Sequence, residues 1–428
     1  MYVSKKSIIK TLTLIAVTII ACLMVKVSES LYIHMAAMIL VCFTAIVEVK
    51  GNLMHPYVWF SAFFGLYSIG YPWTLAMGFT SRVGYSKETM LYQLLALITV
   101  LIAIGPKCIK EDDKWIKDYD ISLGVLNKII YIVLVMLIVV GALYVSRSGF
   151  SGKDDIYNSG NTLLIMIFRL PLILTLLYAL SVTTTYYRER KFPVKQAIIT
   201  FIALLLITLF SGERDFVFRF VLVNIFILWF LRKIRIKHLI VMIPIIIVLI
   251  PLSSSYKYYF LTGSASVTNN NIIYAFLSGE FESATRNLQA LINNSSSTLG
   301  VKGLGQIVRD VVAVFNSSIE SSTSWFNNTF YPTSKTQYGF TLVGEGYIIA
   351  GALGVVLVFA IIGIIIRIMY KKAYNNMYLL IAYIYFITVM IYSIRGDLST
   401  VFSALIKQIF LVLFIIFILE KISKSRQR

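Results

Sequence analysis

About a dozen stretches of this chain, each close to the length of one bilayer-spanning helix, are almost wholly apolar, and no other feature constrains the fold as tightly. Runs such as IIKTLTLIAVTIIACLMV, HLIVMIPIIIVLIPL and ALGVVLVFAIIGIIIRIM approach or exceed the ~20 residues that carry a helix across ~30 Å of hydrocarbon. A membrane-spanning strand would alternate apolar and polar residues, and these runs do not, so helices are the spanning elements. Composition agrees: 58% of residues are hydrophobic and mean hydropathy is +0.81, far above an ordinary soluble domain.

The expected fold is therefore an all-α polytopic integral membrane protein of about 12 transmembrane helices. Spans are expected near residues 8–25, 31–48, 54–78, 89–106, 125–146, 162–185, 196–211, 215–231, 238–252, 344–366, 377–394 and 400–420. This divides the chain into a membrane domain over 1–252 with about nine helices, a large loop over 253–343, and a second membrane domain over 344–428 with about three helices and a tail.

A net charge of +19 would suggest a nucleic-acid partner in a soluble protein, but here it reports topology. Lys and Arg crowd into alternate connections: Lys5, Lys6 and Lys10; Lys107 to Lys117; Arg188 to Lys195; Arg232 to Lys237; Arg367 to Lys372; and Lys421 to Arg428. The intervening short connections hold only Lys26, Arg82, Lys87, Arg147, Lys153, Arg214 and Arg395. The positive-inside rule then puts both termini in the cytoplasm, the large loop on the outer face, and no nucleic acid among the partners. The basic start MYVSKK resembles a signal sequence but no small-residue cleavage site follows, so the first span is expected to be retained.

Residues 253–343 are rich in Ser, Asn and Thr, and a loop of this length in a compact protein usually carries function. Within it, FESATRNLQALI and GQIVRDVVAVF space apolar residues three and four apart, as in amphipathic helices lying over a membrane surface. Arg286 and Arg309 would ride on them. No internal repeat joins the two halves, which counts against a transporter.

Charge on the outer face is scarce, so its placement is informative. SGERDFVFRF packs Glu213, Arg214, Asp215 and Arg219 into one turn; Asp215 and Arg219, four apart in acid-first order, could also simply pair. IRGDLS carries Arg395 and Asp397 around Gly396, in a turn whose flanks could equally be solvated. Arg169, in MIFRLPL, is the deepest cation by position and faces either a cavity or a carboxylate such as Asp397. Guanidinium forks on one side of a membrane pocket suit phosphate or pyrophosphate, because they bind oxygens bidentately and stay charged. A lipid pyrophosphate fits, its head beside Arg214, Arg286, Arg309 and Arg395 and its tail between helices. Glycosyl transfer from such a carrier needs charge stabilisation at the leaving group and benefits from a base at the attacking hydroxyl. Glu345, Glu213 and Asp310 are the candidate bases, each of a type that more often serves structure. The outer segments lack cysteine, a nucleotide-binding loop and acids at metal-ligand spacing, so neither a metal nor another cofactor is expected.

The multispan layout, the late outer loop, SGERDFVFR before it, YGFTLVGEGYIIAGALGV at its exit and SIRGDLS near the end together resemble the Wzy-type polymerases of lipid-linked oligosaccharide repeat units, of O-antigen, capsule and exopolysaccharide assembly. The resemblance implies a GT-C-like glycosyltransferase of the bacterial cytoplasmic membrane that works without a metal. It would transfer a growing glycan from undecaprenyl pyrophosphate to the next lipid-linked repeat, releasing undecaprenyl pyrophosphate, and would have a chain-length regulator as partner. By motif, Arg214 and Arg395 inherit the pyrophosphate-binding role, with Arg219, Arg286 and Arg309 as weaker assignments. O-antigen ligases share the layout but depend on a histidine in the large loop, and residues 253–343 contain none. A flippase or other transporter of lipid-linked oligosaccharides is the alternative from a different class.

Overall fold

The structure, a computed structural model, describes residues 5–80, 85–109, 123–148, 169–211, 213–262, 272–294, 321–332 and 339–425. Among these every regular element is helical. In chain order they are α1 (Lys5–Val27), α2 (Leu31–Glu48), α3 (Pro56–Ala76), α4 (Lys87–Ile104), α5 (Leu123–Ser148), α6 (Leu170–Glu189), α7 (Val194–Ser211), α8 (Asp215–Phe230) and α9 (Ile236–Thr262). Then come α10 (Ile272–Phe276), a π turn (Leu277–Phe281), α11 (Glu282–Asn293), α12 (Ser322–Phe330), α13 (Leu342–Ala373), α14 (Met377–Ser393), α15 (Leu398–Ser403), a π segment (Ala404–Phe410) and α16 (Leu411–Ser425).

Among the described residues seven helices are long and apolar enough to cross a membrane: α1, α2, α4, α6, α9, α13 and the continuous run Leu398–Ser425. On several of them the outward face is bare hydrocarbon. On α9, Ile240, Val241, Ile243, Ile245 and Val248 are all exposed, a continuous apolar surface that water would not tolerate.

Each expected span falls on a helix, but several ends differ. The sixth starts at Leu170 rather than 162, where Pro171 sits in the first turn, a position that needs no amide donor; residues 162–168 lie outside the described residues. It then runs past Thr183 and Thr184, whose hydroxyls donate to the Ala179 and Leu180 carbonyls at 2.8 Å, so polar residues do not end it. The ninth, expected to stop at 252, continues through Ser253 to Thr262. The tenth, α13, is broken at Ala350 (φ −155°, ψ 36°) and Gly351 (φ 54°, ψ −129°). Eight residues of straight helix would separate Gly346 from Gly354 by ~12 Å, yet a Cβ on Gly354 would lie 2.0 Å from the Gly346 carbonyl oxygen. The chain therefore folds back on itself, and only glycines allow the two backbones to meet.

The chain forms two compact units. The first comprises Met1–Lys110, Asn269–Lys371 and Val389–Ala404. Its core is aromatic, with Phe60 stacked on Phe64 and Phe64 edge-on to Phe359 at 5.8 Å. Lys10 pairs with Glu48 at 3.4 Å, Ile109 N donates to Tyr370 Oη at 3.2 Å, and Arg367 reaches the Ala103 carbonyl at 3.4 Å. At the opposite ends of these helices Lys87 meets Glu29 at 2.7 Å. The second unit comprises Glu111–Thr268, Lys372–Thr388 and Leu405–Arg428. There α6 packs against α5, α7 and α8, and Tyr178 donates to Asn224 at 2.6 Å while stacking near Phe220.

The first loop helix differs from the expectation of a helix lying over a membrane surface. α11 is inserted against α3 and α4, with Glu282, Thr285, Asn287 and Gln289 all buried. Thr285 donates to the Tyr67 carbonyl at 2.7 Å and accepts from Gln93 Nε2 at 2.7 Å. Gln289 Oε1 receives both Thr89 Oγ1, at 2.6 Å, and Ser86 N, at 2.7 Å. The polar face that suggested exposure instead supplies hydrogen bonds to the backbone and side chains of its neighbours. The second expected loop helix, around GQIVRDVVAVF, lies outside the described residues.

Candidate functional site

Two strings about 50 residues apart, GFTLVGEGY at the exit of the loop and SIRGDLS after α14, meet in the first unit. Gly339 packs so tightly on the turn after α14 that a Cβ there would lie 2.8 Å from the Arg395 carbonyl oxygen. Leu342 N donates to the Ile394 carbonyl at 3.3 Å, joining the start of α13 to the same turn. On its other side the Gly339 carbonyl accepts from Asn287 Nδ2 of α11.

Two buried carboxylates lock this junction. Glu345 is 1% exposed; its Oε1 accepts from Ser322 Oγ of α12 at 2.8 Å and its Oε2 from Leu398 N of α15 at 2.8 Å. Asp397 is 2% exposed; its Oδ2 accepts from Thr323 Oγ1 at 2.6 Å and Thr323 N at 3.1 Å. Its Oδ1 caps α15, accepting from Thr400 N at 2.9 Å and Thr400 Oγ1 at 2.8 Å. A carboxylate so deeply buried is tolerated only when its oxygens are hydrogen-bonded, and all four of these oxygens are. Helix α12, which lies within the loop, is thus tied to both α13 and the Arg395 turn. Arg395 itself is half-buried, with its guanidinium 5.0 Å from the centre of the Tyr392 ring, within cation–π range.

The other expected arginines stand differently. Arg286 Nη1 meets Glu282 Oε1 at 3.4 Å one turn earlier on α11, and Arg219 Nε meets Asp215 Oδ2 at 2.8 Å on α8. Both are therefore already charge-compensated within their own helices. Glu213 and Arg214 sit half-buried at the entry to α8, Arg214 in the N-cap position, in the second unit. Arg309 and Asp310 lie outside the described residues. Asp397, a possible partner of Arg169, has its oxygens engaged by Thr323 and Thr400 in its own unit.

Sequence reasoning missed Ser322, Thr323, Thr400 and Asn287. Ser322 and Thr323 sit in a run of hydroxyl residues, ESSTSWF, with nothing local to single them out. Asp397 three residues before Thr400 is a capping pattern and was legible in principle. Among the described residues no group of three or more His, Cys, Asp or Glu side chains could hold a metal ion. Fold and composition together define an all-helical, membrane-embedded protein with several spanning helices. No protein-family model matches the sequence, and no curated protein or solved structure matches it either.

Proposed function

We propose that this protein polymerises oligosaccharide repeat units borne on undecaprenyl pyrophosphate, at the outer face of the bacterial cytoplasmic membrane, through about twelve crossings with both termini inside. Arg395 supplies positive charge to the departing diphosphate, and by its motif Arg214 has a pyrophosphate-binding role of its own. The observation that carries the reading is the locked turn: Glu345 and Asp397 fix Leu398 and Thr400 beside Arg395, and Gly339 packs on its carbonyl. A guanidinium held this way needs little reorganisation as charge develops on the leaving group, which is where electrostatic catalysis is most effective. The tie from α12 to the same turn gives the loop a fixed exit next to that charge. With donors on both of its oxygens, Glu345 serves here by positioning the turn. No metal enters the reaction, and a chain-length regulator is the expected protein partner.

One observation favours a transporter of lipid-linked sugars instead: broken helices such as α13 recur in transporters, where the break lines a substrate site. The two readings separate by where substrate accumulates. Cells lacking this protein should collect single repeats accessible from outside the membrane; repeats confined to the inner leaflet would indicate transport. Arg214→Ala should reproduce the single-repeat phenotype with normal membrane insertion.

A further inference from the structure

Helix α11 uses its polar side chains on two sides. Thr285 and Gln289, one turn apart, bond to α3 and α4. Gln289 has both ends of its amide engaged, Oε1 by Thr89 and Ser86 and Nε2 on Asn293 Oδ1 at 2.6 Å. Asn287 stands between them, roughly 200° around the helix from Thr285, and meets the segment that packs on the Arg395 turn. It is fully buried, at 0% exposure.

The orientation of the Asn287 amide is fixed by its partner. A backbone carbonyl can only accept, so the atom on the Gly339 oxygen is Nδ2, and Oδ1 points elsewhere. Oδ1 is enclosed, and among the described residues no group donates to it. An enclosed acceptor without a donor costs free energy, and such oxygens are rarely left unsatisfied unless a water or a ligand completes them. Gly339, the residue that Asn287 holds, lies against Arg395: a Cβ on it would be 2.8 Å from the Arg395 carbonyl oxygen and 3.8 Å from the Arg395 Cβ and Cγ. A single backbone residue thus separates the unserved acceptor from the arginine read as a diphosphate ligand.

The two side chains differ in what they can bind. A guanidinium has donors only and suits diphosphate oxygens, whereas an amide oxygen has lone pairs only and repels them. Its complement is a hydroxyl, and a glycosyl diphosphate carries hydroxyls on the sugar directly beside the diphosphate. We propose that Asn287 Oδ1 accepts a hydrogen bond from a hydroxyl of that sugar, which makes Asn287 a specificity-determining residue for the repeat unit. The role rests on Arg395 holding the diphosphate. Enclosure favours discrimination, because a sugar that lacks the hydroxyl leaves the buried oxygen without a donor.

The test uses full-length protein in phosphatidylcholine nanodiscs, read by equilibrium binding. The probes are farnesyl pyrophosphate, farnesyl diphosphates carrying glucose or galactose, and the monodeoxy forms of whichever glycosyl probe binds more tightly. In the wild type, removal of one particular hydroxyl should weaken binding at least about tenfold, a result that needs no variant to fold. Asn287→Ala should bind the parent and that deoxy probe within about twofold of each other, and should lose more affinity for the glycosyl probe than for farnesyl pyrophosphate. A residue that only braced the turn would weaken both alike. Equal binding of all deoxy forms by the wild type, retained discrimination in Asn287→Ala, or equal losses on both probes would overturn the role of Asn287. If binding still falls in Arg395→Ala, the diphosphate reading survives that result. Absence of binding by every probe, or binding indifferent to Arg395→Ala, would remove the diphosphate reading and the role of Asn287 with it.

Discussion

Glu345, in Gly-Glu-Gly at a helix entry, is a candidate base of a type that more often serves structure, and both of its oxygens accept hydrogen bonds from neighbouring elements. It joins α12, α13 and α15 by receiving one side-chain and one backbone donor. Glu345→Ala would leave Leu398 N and Ser322 Oγ buried without an acceptor, at about 1–3 kcal/mol for each stranded group. A markedly lower unfolding temperature in detergent is expected, with Glu345→Gln intermediate because its amide oxygen can still serve one donor. If Glu345→Ala melts like the wild type, the carboxylate holds nothing. The exposed pair Lys87–Glu29 is the contrasting case. The Lys87 hydrogen bond and charge hold the Glu29 carboxyl below its usual range, so what the pair contributes is complete above the ordinary carboxylate range and lost as pH falls through the lowered value. Glu29 is 82% exposed and solvent screens the pair, so Lys87→Ala should leave the unfolding temperature unchanged from neutral pH to pH 3.

At the scale of elements, the break in α13 makes the sharpest demand on sequence. Gly351 has φ +54°, which a non-glycine residue adopts at roughly 1 kcal/mol, and nothing lies within 4 Å of where its Cβ would be. Gly354 has ordinary helical freedom but no room, since its Cβ would strike the backbone of Gly346. Gly354→Ala is therefore expected to destabilise more than Gly351→Ala, by at least 1–2 kcal/mol; the reverse order in parallel melts would mean that the fold-back is absent. The helices themselves were largely legible. Continuous apolarity over 31–48 or 196–211 leaves helix as the only state that satisfies the backbone in lipid. The break was not legible, because AGALG looks like any small-residue stretch of a spanning helix until Gly346 and Gly354 are brought together. Nor were the acceptors that Ser322 and Thr323 serve, since those partners are 23 and 74 residues away and are set by tertiary contact alone. Thr285 and Gln289 misled for a related reason: polarity at helical spacing marks a face, but does not say whether water or another helix covers it.

For the whole molecule, the orientation proposed from the alternation of basic connections is one that a native residue can report. Cys22 and Cys42 lie within α1 and α2, whereas Cys108 is exposed just beyond α4, in a connection assigned to the cytoplasm. Partial burial pushes the Cys108 thiol up, against the opposing effect of Lys10 and Lys50, so its labelling should quicken as pH rises. A membrane-impermeant maleimide should label Cys108 only after intact cells are permeabilised; labelling of intact cells would invert the topology and put the Arg395 turn on the wrong face for glycan assembly.

The proposed function stands or falls with Arg395, whose charge, held in a locked turn, would serve glycan polymerisation. The most direct measurement is the length distribution of surface glycan in cells carrying Arg395→Ala as the sole copy, alongside Arg395→Lys, with membrane levels of each protein quantified. Normal insertion is expected of both variants, with loss of long chains and accumulation of single repeats in the Ala variant and partial recovery with Lys. A wild-type chain-length ladder from Arg395→Ala would contradict it.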